Sequence, residues 1–136
     1  MSQENVESFQ RAVEAYNRRD FEAVLEFLDP EIEWHPGIQA MLGGEGAVYR
    51  GHAEVRELFR DVTEVFDTFD IALSDIRDLG EDRVVATGHL RTRGSGSEAK
   101  TESPVGFVVD GRNGKAILIR TYLDPNDALK AVGLRE

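Results

Sequence analysis

From Val6 the apolar side chains recur at Phe9, Ala12, Val13 and Tyr16, three and four residues apart, with charged and amide residues between them. That spacing lines one face of a helix, and Ser2 stands where a hydroxyl would cap it. Residues 17–20 break the pattern. Asp20 then caps a second, shorter helix carrying Val24, Leu25 and Leu28. It ends before Pro30, because the residue preceding proline is pushed out of helical conformation. A strand, "EIEWH", follows. The stretch "IQAMLGGEGAV" from Ile38 to Val48 is glycine-rich and weakly periodic, which predicts a mobile flap over a cavity mouth. Next, "GHAEVRELFRDVTEVFDTF" places Val55, Leu58, Phe59, Val62 and Phe66 on one face of a third helix.

Beyond that helix the period drops to two. "DIALSDIRDL", "RVVATGHLRTR", "KTESPVGFVVD" and "KAILIRTYLD" read as four strands of a curved antiparallel sheet, joined by turns rich in Gly, Asp, Asn and Ser. Asp124 and Pro125 open a short closing helix that stops at Gly133. Three helices followed by a run of strands predict an α+β fold, a cone-shaped sheet with the helices packed on it. The 136 residues are one domain's worth of chain.

Parity assigns side chains to faces. In the first strand Ile32 and Trp34 share one face, while Glu31, Glu33 and His35 take the other; the apolar pair is expected inside and His35 outside. Val84, Ala86, Gly88 and Leu90 are expected inside, as are Ile119, Thr121 and Leu123, leaving Arg120 and Tyr122 outside. On the strand between, Glu102 is read as inward with Pro104, Gly106 and Val108, and Val105, Phe107 and Val109 as outward.

Composition narrows the functional classes. With 26 Asp and Glu against 16 Lys and Arg, the formal charge is −10, which repels phosphate backbones and anionic lipid. Nucleic acid is not an expected partner. Cysteine is absent, so disulfides, thiolate metal sites and thiol catalysis are excluded. His35, His52 and His89 lie on separate elements with no metal-ligand spacing. "MSQENVESFQ" has neither a basic start nor an apolar run, and no apolar stretch reaches membrane-spanning length, so a cytoplasmic protein is expected.

The order of elements, with "FQRAVEAYNRRDFEAVLEFLDPEIEWHP", "YRGHAEVREL" and "GKAILIRTYLD", resembles the SnoaL-like proteins of the nuclear transport factor 2-like superfamily, relatives of ketosteroid isomerase. The resemblance implies a cone whose pocket binds a small apolar molecule, a homodimer formed through the outer sheet face, and no metal or nucleotide cofactor. It also shows what is missing. Matched from Asn17 and Asp20 onward, the isomerase's strand aspartate becomes Pro36, its helix tyrosine Ala12 and its neutral acid Gly106; the cyclase aspartate of the last strand becomes Thr121. The Asp-Arg-Asp group of limonene epoxide hydrolase has no counterpart either, since Arg120 is read as outward and Asp124 as a helix cap.

Two functional readings stand open on this evidence. In one, the protein is a cofactor-independent isomerase, cyclase or hydrolase using an unfamiliar set drawn from Glu102, Tyr16 and His35. In the other, Phe9, Tyr16, Trp34, Phe59, Thr121 and Leu123 line a pocket that holds an apolar molecule unchanged. A variant of the second fills the cone with its own side chains and leaves the protein a dimeric assembly piece.

Overall fold

The structure, a computed structural model, describes residues 2–36 and 48–134. Helix α1 (Ser2–Asn17) and helix α2 (Phe21–Phe27) lead directly into strand β1 (Leu28–His35). The two-residue strand β2 (Tyr49–Arg50) precedes helix α3 (Gly51–Val65), and then come β3 (Phe66–Asp78), β4 (Arg83–Gly94), β5 (Lys100–Arg112), β6 (Lys115–Tyr122) and helix α4 (Pro125–Ala131). The expected flap falls almost wholly outside the described residues.

The six strands form one sheet in the order β2-β1-β6-β5-β4-β3. It is mixed rather than purely antiparallel, because β1 runs parallel to β6 while the other ladders are antiparallel. The reason lies in the chain path: β1 is separated from β6 by the rest of the molecule, so no hairpin dictates its direction. Two boundaries also moved. Leu28 belongs to β1 and not to α2, and Pro30 sits where the β1–β6 register shifts, a place that needs no ladder donor. The third helix stops at Val65, and a register shift between Phe66 and Thr68 brings Phe66 and Phe69 together with ring centroids 5.2 Å apart.

Helices α1, α2 and α3 cover one face of the sheet. Phe9, Tyr16, Val24, Phe59, Ala86 and Phe107 belong to the main core there. Helix α4 lies on the opposite face, where Ala128 and Leu129 pack on Val85 and Val108. Its cap is as expected: Asp124 accepts a hydrogen bond from the Asn126 amide at 2.9 Å. Gly106 lies beneath it, and a Cβ there would meet the Ala128 Cβ at 2.6 Å, so the close approach of helix and strand requires glycine.

This arrangement corrects the parity of β5. Ala86 pairs with Phe107 and Val84 with Val109, and residues directly opposite in a ladder share a face. Val105, Phe107 and Val109 therefore point into the core and Gly106 and Val108 toward α4, the reverse of the expected assignment.

The Asn-x-x-Asp pattern between the first two helices has a structural basis. Asn17 Nδ2 donates to the Ile71 carbonyl at 2.9 Å, and the Ile71 amide donates to Asn17 Oδ1 at 2.9 Å. The side-chain amide thus behaves as one more residue of sheet against β3, an edge strand whose outer backbone groups lack a ladder partner. Three residues on, Asp20 accepts from the Ala23 amide and caps α2. His52 ties the start of α3 to β1, its Nε2 donating to the Leu28 carbonyl at 2.9 Å.

Replacing Asn17 by Ala leaves two part-buried backbone groups without their partners and is expected to cost about 2 kcal/mol in urea denaturation. Asn17→Asp keeps the acceptor but sets a carboxylate against a carbonyl oxygen, so it should be no better than Ala. An Ala variant as stable as the parent would show that the pair contributes nothing.

Candidate functional site

Two apolar cavities lie between the helices and the sheet. The first, about 40 Å³, is lined by Tyr16, Trp34, Pro36, Leu58, Phe59, Val62, Phe69, Ile71, Leu90, Phe107 and Thr121. The second, about 30 Å³, is lined by Phe9, Ala12, Val13, Val24, Phe27, Leu28 and Ile119, together with Tyr16, Trp34, Ile71 and Phe107. Those last four side chains border both cavities. The two are lobes of one hollow, divided by its own walls.

Each wall residue is placed by its element. Phe9, Ala12 and Tyr16 project from one face of α1, while Trp34 and Pro36 come from the end of β1. Trp34 meets Phe59 edge-on, with centroids 5.6 Å apart. Phe59 stacks on Phe21 at 4.7 Å, and Tyr16 meets Phe21, Phe59 and Phe69 edge-on at 5.8, 5.7 and 6.1 Å. Such tilted and offset contacts satisfy the ring quadrupoles and hold the indole and phenol in fixed orientations.

The structure brings together Phe9, Tyr16, Trp34, Phe59 and Thr121 around the hollow. Leu123 is half-buried but lines neither lobe, because β6 ends at Tyr122 and the chain turns toward the Asp124 cap. Phe107 was missed as a wall residue. Its signal was available: reading β4 and β5 as paired neighbours forces it to face the same way as Ala86.

Two proton-transfer candidates stand away from the hollow. His35 points to the other side of β1, where its Nε2 lies 2.8 Å from Glu33 Oε1, and it sits beside Arg120 in the parallel ladder. Arg50 Nε approaches the same carboxylate at 3.7 Å. Glu102, expected inside, is exposed on the outer face, and Arg91 Nε donates to its Oε2 at 3.1 Å. The cause is the β5 register, since Glu102 pairs with Arg91, an outward residue of β4.

Of the four positions matched to acid and base groups of the relatives, Ala12, Pro36 and Thr121 line the hollow, whereas Gly106 faces α4. The hydroxyls among the described wall residues are those of Tyr16 and Thr121. Burial pushes the Tyr16 phenol well above its ordinary value, with Arg19 opposing the shift and Asp70 adding to it. At neutral pH it is a hydrogen-bond donor, not a base. Among the described residues no cluster of three His, Asp or Glu side chains is placed to hold a metal ion.

A wall of this kind, on this order of helices and strands, agrees with the family comparison: the SnoaL-like domain matches residues 9–119. The chain belongs to the SnoaL-like domain family. Among solved structures, this SnoaL-like chain is similar to a nuclear transport factor 2-like protein of Burkholderia pseudomallei, with 25% identity, a TM-score of 0.79, and coverage of 96% of this chain and 98% of that one. It is also similar to TerC, which was co-crystallised with polyporic acid, at 26% identity and a TM-score of 0.76 over 89% of this chain and 92% of TerC. A protein of Catenulispora acidiphila with a ketosteroid isomerase-like fold shares the architecture at 12% identity, with a TM-score of 0.75 over 94% of this chain and 93% of that chain. No curated protein matches the sequence. No described helix of the SnoaL-like domain is long and apolar enough to cross a membrane.

The titration of Tyr16 gives a direct check. A phenol whose folded-state value is raised loses its share of stability as pH climbs past the unfolded value of about 10, because the unfolded chain then releases a proton that the folded chain retains. Unfolding free energy measured from pH 8 to 11 should therefore fall, and Tyr16→Phe should flatten the fall. An unchanged slope in that variant would place the phenol in contact with water.

Proposed function

We propose that this SnoaL-like protein binds a small, largely apolar molecule in the two-lobed hollow, with the Tyr16 and Thr121 hydroxyls orienting it. The observation that carries the reading is the wall itself: aromatic and aliphatic side chains surround the space, and among the described residues Tyr16 and Thr121, which border the larger lobe, are the ones that carry hydroxyls. This is the lining expected of a small-molecule site, where apolar area supplies affinity and a few polar groups supply orientation. The co-crystallisation of TerC with polyporic acid supports it at the level of ligand class. We place the protein in the cytoplasm as a homodimer that uses the outer sheet face left bare by α4, including Arg120.

The reading has a conformational requirement. Lobes of about 40 and 30 Å³ hold only a few waters. A ring compound therefore enters only when the dividing side chains, Trp34 and Phe107 foremost, turn aside. The small volume also favours a second reading, in which the core stays filled and the protein serves as a dimeric assembly module.

For catalysis the wall is poorly equipped. Acid–base work at neutral pH calls for a group that titrates nearby, and Glu102 and His35, the carboxylate and imidazole considered, face the other way. We therefore favour binding over an isomerase, cyclase or hydrolase activity.

Trp34 is the sole tryptophan and borders both lobes, which makes it a local reporter. Polyporic acid and neutral aromatic compounds should quench it saturably, and Thr121→Val or Tyr16→Phe should weaken binding by roughly fivefold, the worth of one hydrogen bond. Absence of saturable quenching by any of them would leave the filled-core reading.

A further inference from the structure

The smaller lobe and an outer groove share part of their lining at α1 and α2. A groove of about 370 Å³ runs along the outside of these helices, bordered by Ser8, Arg11, Ala12, Ala15, Arg18, Ala23, Glu26, Phe27 and Gly114. Ala12 and Phe27 border both this groove and the smaller lobe of the hollow. Ala12 and Phe27 thus form a common border of inside and outside there. Phe27 is half-buried, occupies the last position of the short helix α2, and meets Phe9 in a tilted contact with centroids 6.4 Å apart. A ring at a helix end, bordering a groove of this size, has space on its outer side into which to turn.

The groove's charge is opposite in sign to that of the chain as a whole. The chain carries a net −10, yet two guanidinium groups border the groove against one carboxylate, that of Glu26. Arg11 Nη2 donates to Ser8 Oγ at 3.4 Å, and neither Arg11 nor Arg18 forms an ion pair among the described residues. Lys115 lies close by, its Nζ donating to the Glu26 carbonyl at 2.7 Å. Exposed, unpaired guanidiniums beside a route into an apolar hollow suit a molecule with two unlike ends.

We infer that Phe27 gates an entrance to the hollow between α1 and α2, and that the ligand admitted there is an apolar body ending in an anionic group held by Arg11 and Arg18. This rests on the binding reading above and specifies its ligand class. The apolar body displaces the side chains that divide the lobes; the anion stays in the groove, where its hydration is kept and the guanidiniums supply charge-assisted hydrogen bonds.

A matched pair of probes tests it. 8-Anilinonaphthalene-1-sulfonate and N-phenyl-1-naphthylamine share one apolar skeleton, and only the first carries an anion. Titrated into the full chain with Trp34 quenching as readout, the sulfonate should bind at least about fivefold tighter, with an advantage that shrinks in added salt. The double variant R11Q/R18Q should bring the two probes level while leaving the neutral probe unchanged. Phe27→Leu should speed association of the sulfonate in stopped flow, followed by the probe's own directly excited emission, and Phe27→Trp should slow it, each with the fold checked by circular dichroism. If the neutral probe quenches Trp34 and the sulfonate gains nothing, or the arginine variants change neither probe, the groove is no entrance and the binding reading survives alone. If neither probe quenches Trp34, both fall together.

Discussion

Ile76, Ala86, Phe107 and Thr121 stand in one row across four adjacent strands, and that row decides which side of the sheet is the wall of the hollow. Residues opposite one another in a ladder cannot face different ways, so fixing any one of them fixes the rest. Phe107 is the anchor, because a buried phenyl is worth about 3–5 kcal/mol against truncation and cannot be turned to water cheaply. Its neighbours Gly106 and Val108 are then committed to the other face, where only glycine lets α4 approach and where Val108 gives that helix a floor. One register thus furnishes a cavity wall on one side and a helix dock on the other.

The same constraint determines the chemistry available. Every second residue of β4, β5 and β6 is withdrawn from the hollow, and the withdrawn set holds Glu102, Arg91 and Arg120. Around the hollow the described wall residues are apolar, with hydroxyls carried by Thr121 and by Tyr16 from the helix layer. The edge of the sheet is handled separately. Asn17 reaches across to Ile71, so the helix that carries Tyr16 is fastened to the strand that carries Phe69 and Ile71, and the phenol keeps its place among the rings.

Much of this was legible in the sequence, and each failure has a physical cause. Helical and strand periods located the elements, and alternation within "EIEWH" correctly turned Trp34 inward and His35 outward, since Ile32 leaves no doubt about the buried face. In "KTESPVGFVVD" the central residues are apolar on both parities, so alternation carries no information there. Both faces of β5 are covered, one by the main core and one by α4, and a strand buried twice has no polar face to betray its register. Pairing with β4 would have resolved it. The parallel β1–β6 ladder left no local trace at all, because no turn joins those strands.

The position of Tyr16 carries the argument about mechanism furthest. A phenol serves acid–base catalysis when a neighbouring cation or a second hydrogen bond draws its titration toward neutrality, and here burial drives it the other way despite Arg19. A donor so firmly protonated stabilises a ligand's lone pair without exchanging a proton. In an apolar hollow such a hydrogen bond is stronger than in bulk water, because the local dielectric is low. Under the binding function we propose, selection among apolar ligands falls on where each one presents an acceptor relative to Tyr16 and Thr121, while affinity is set by how far Trp34 and Phe107 must move to admit it. The sheet register sets Thr121 and the ring of Tyr16 at the hollow and leaves Glu102 and His35 on the other side of it.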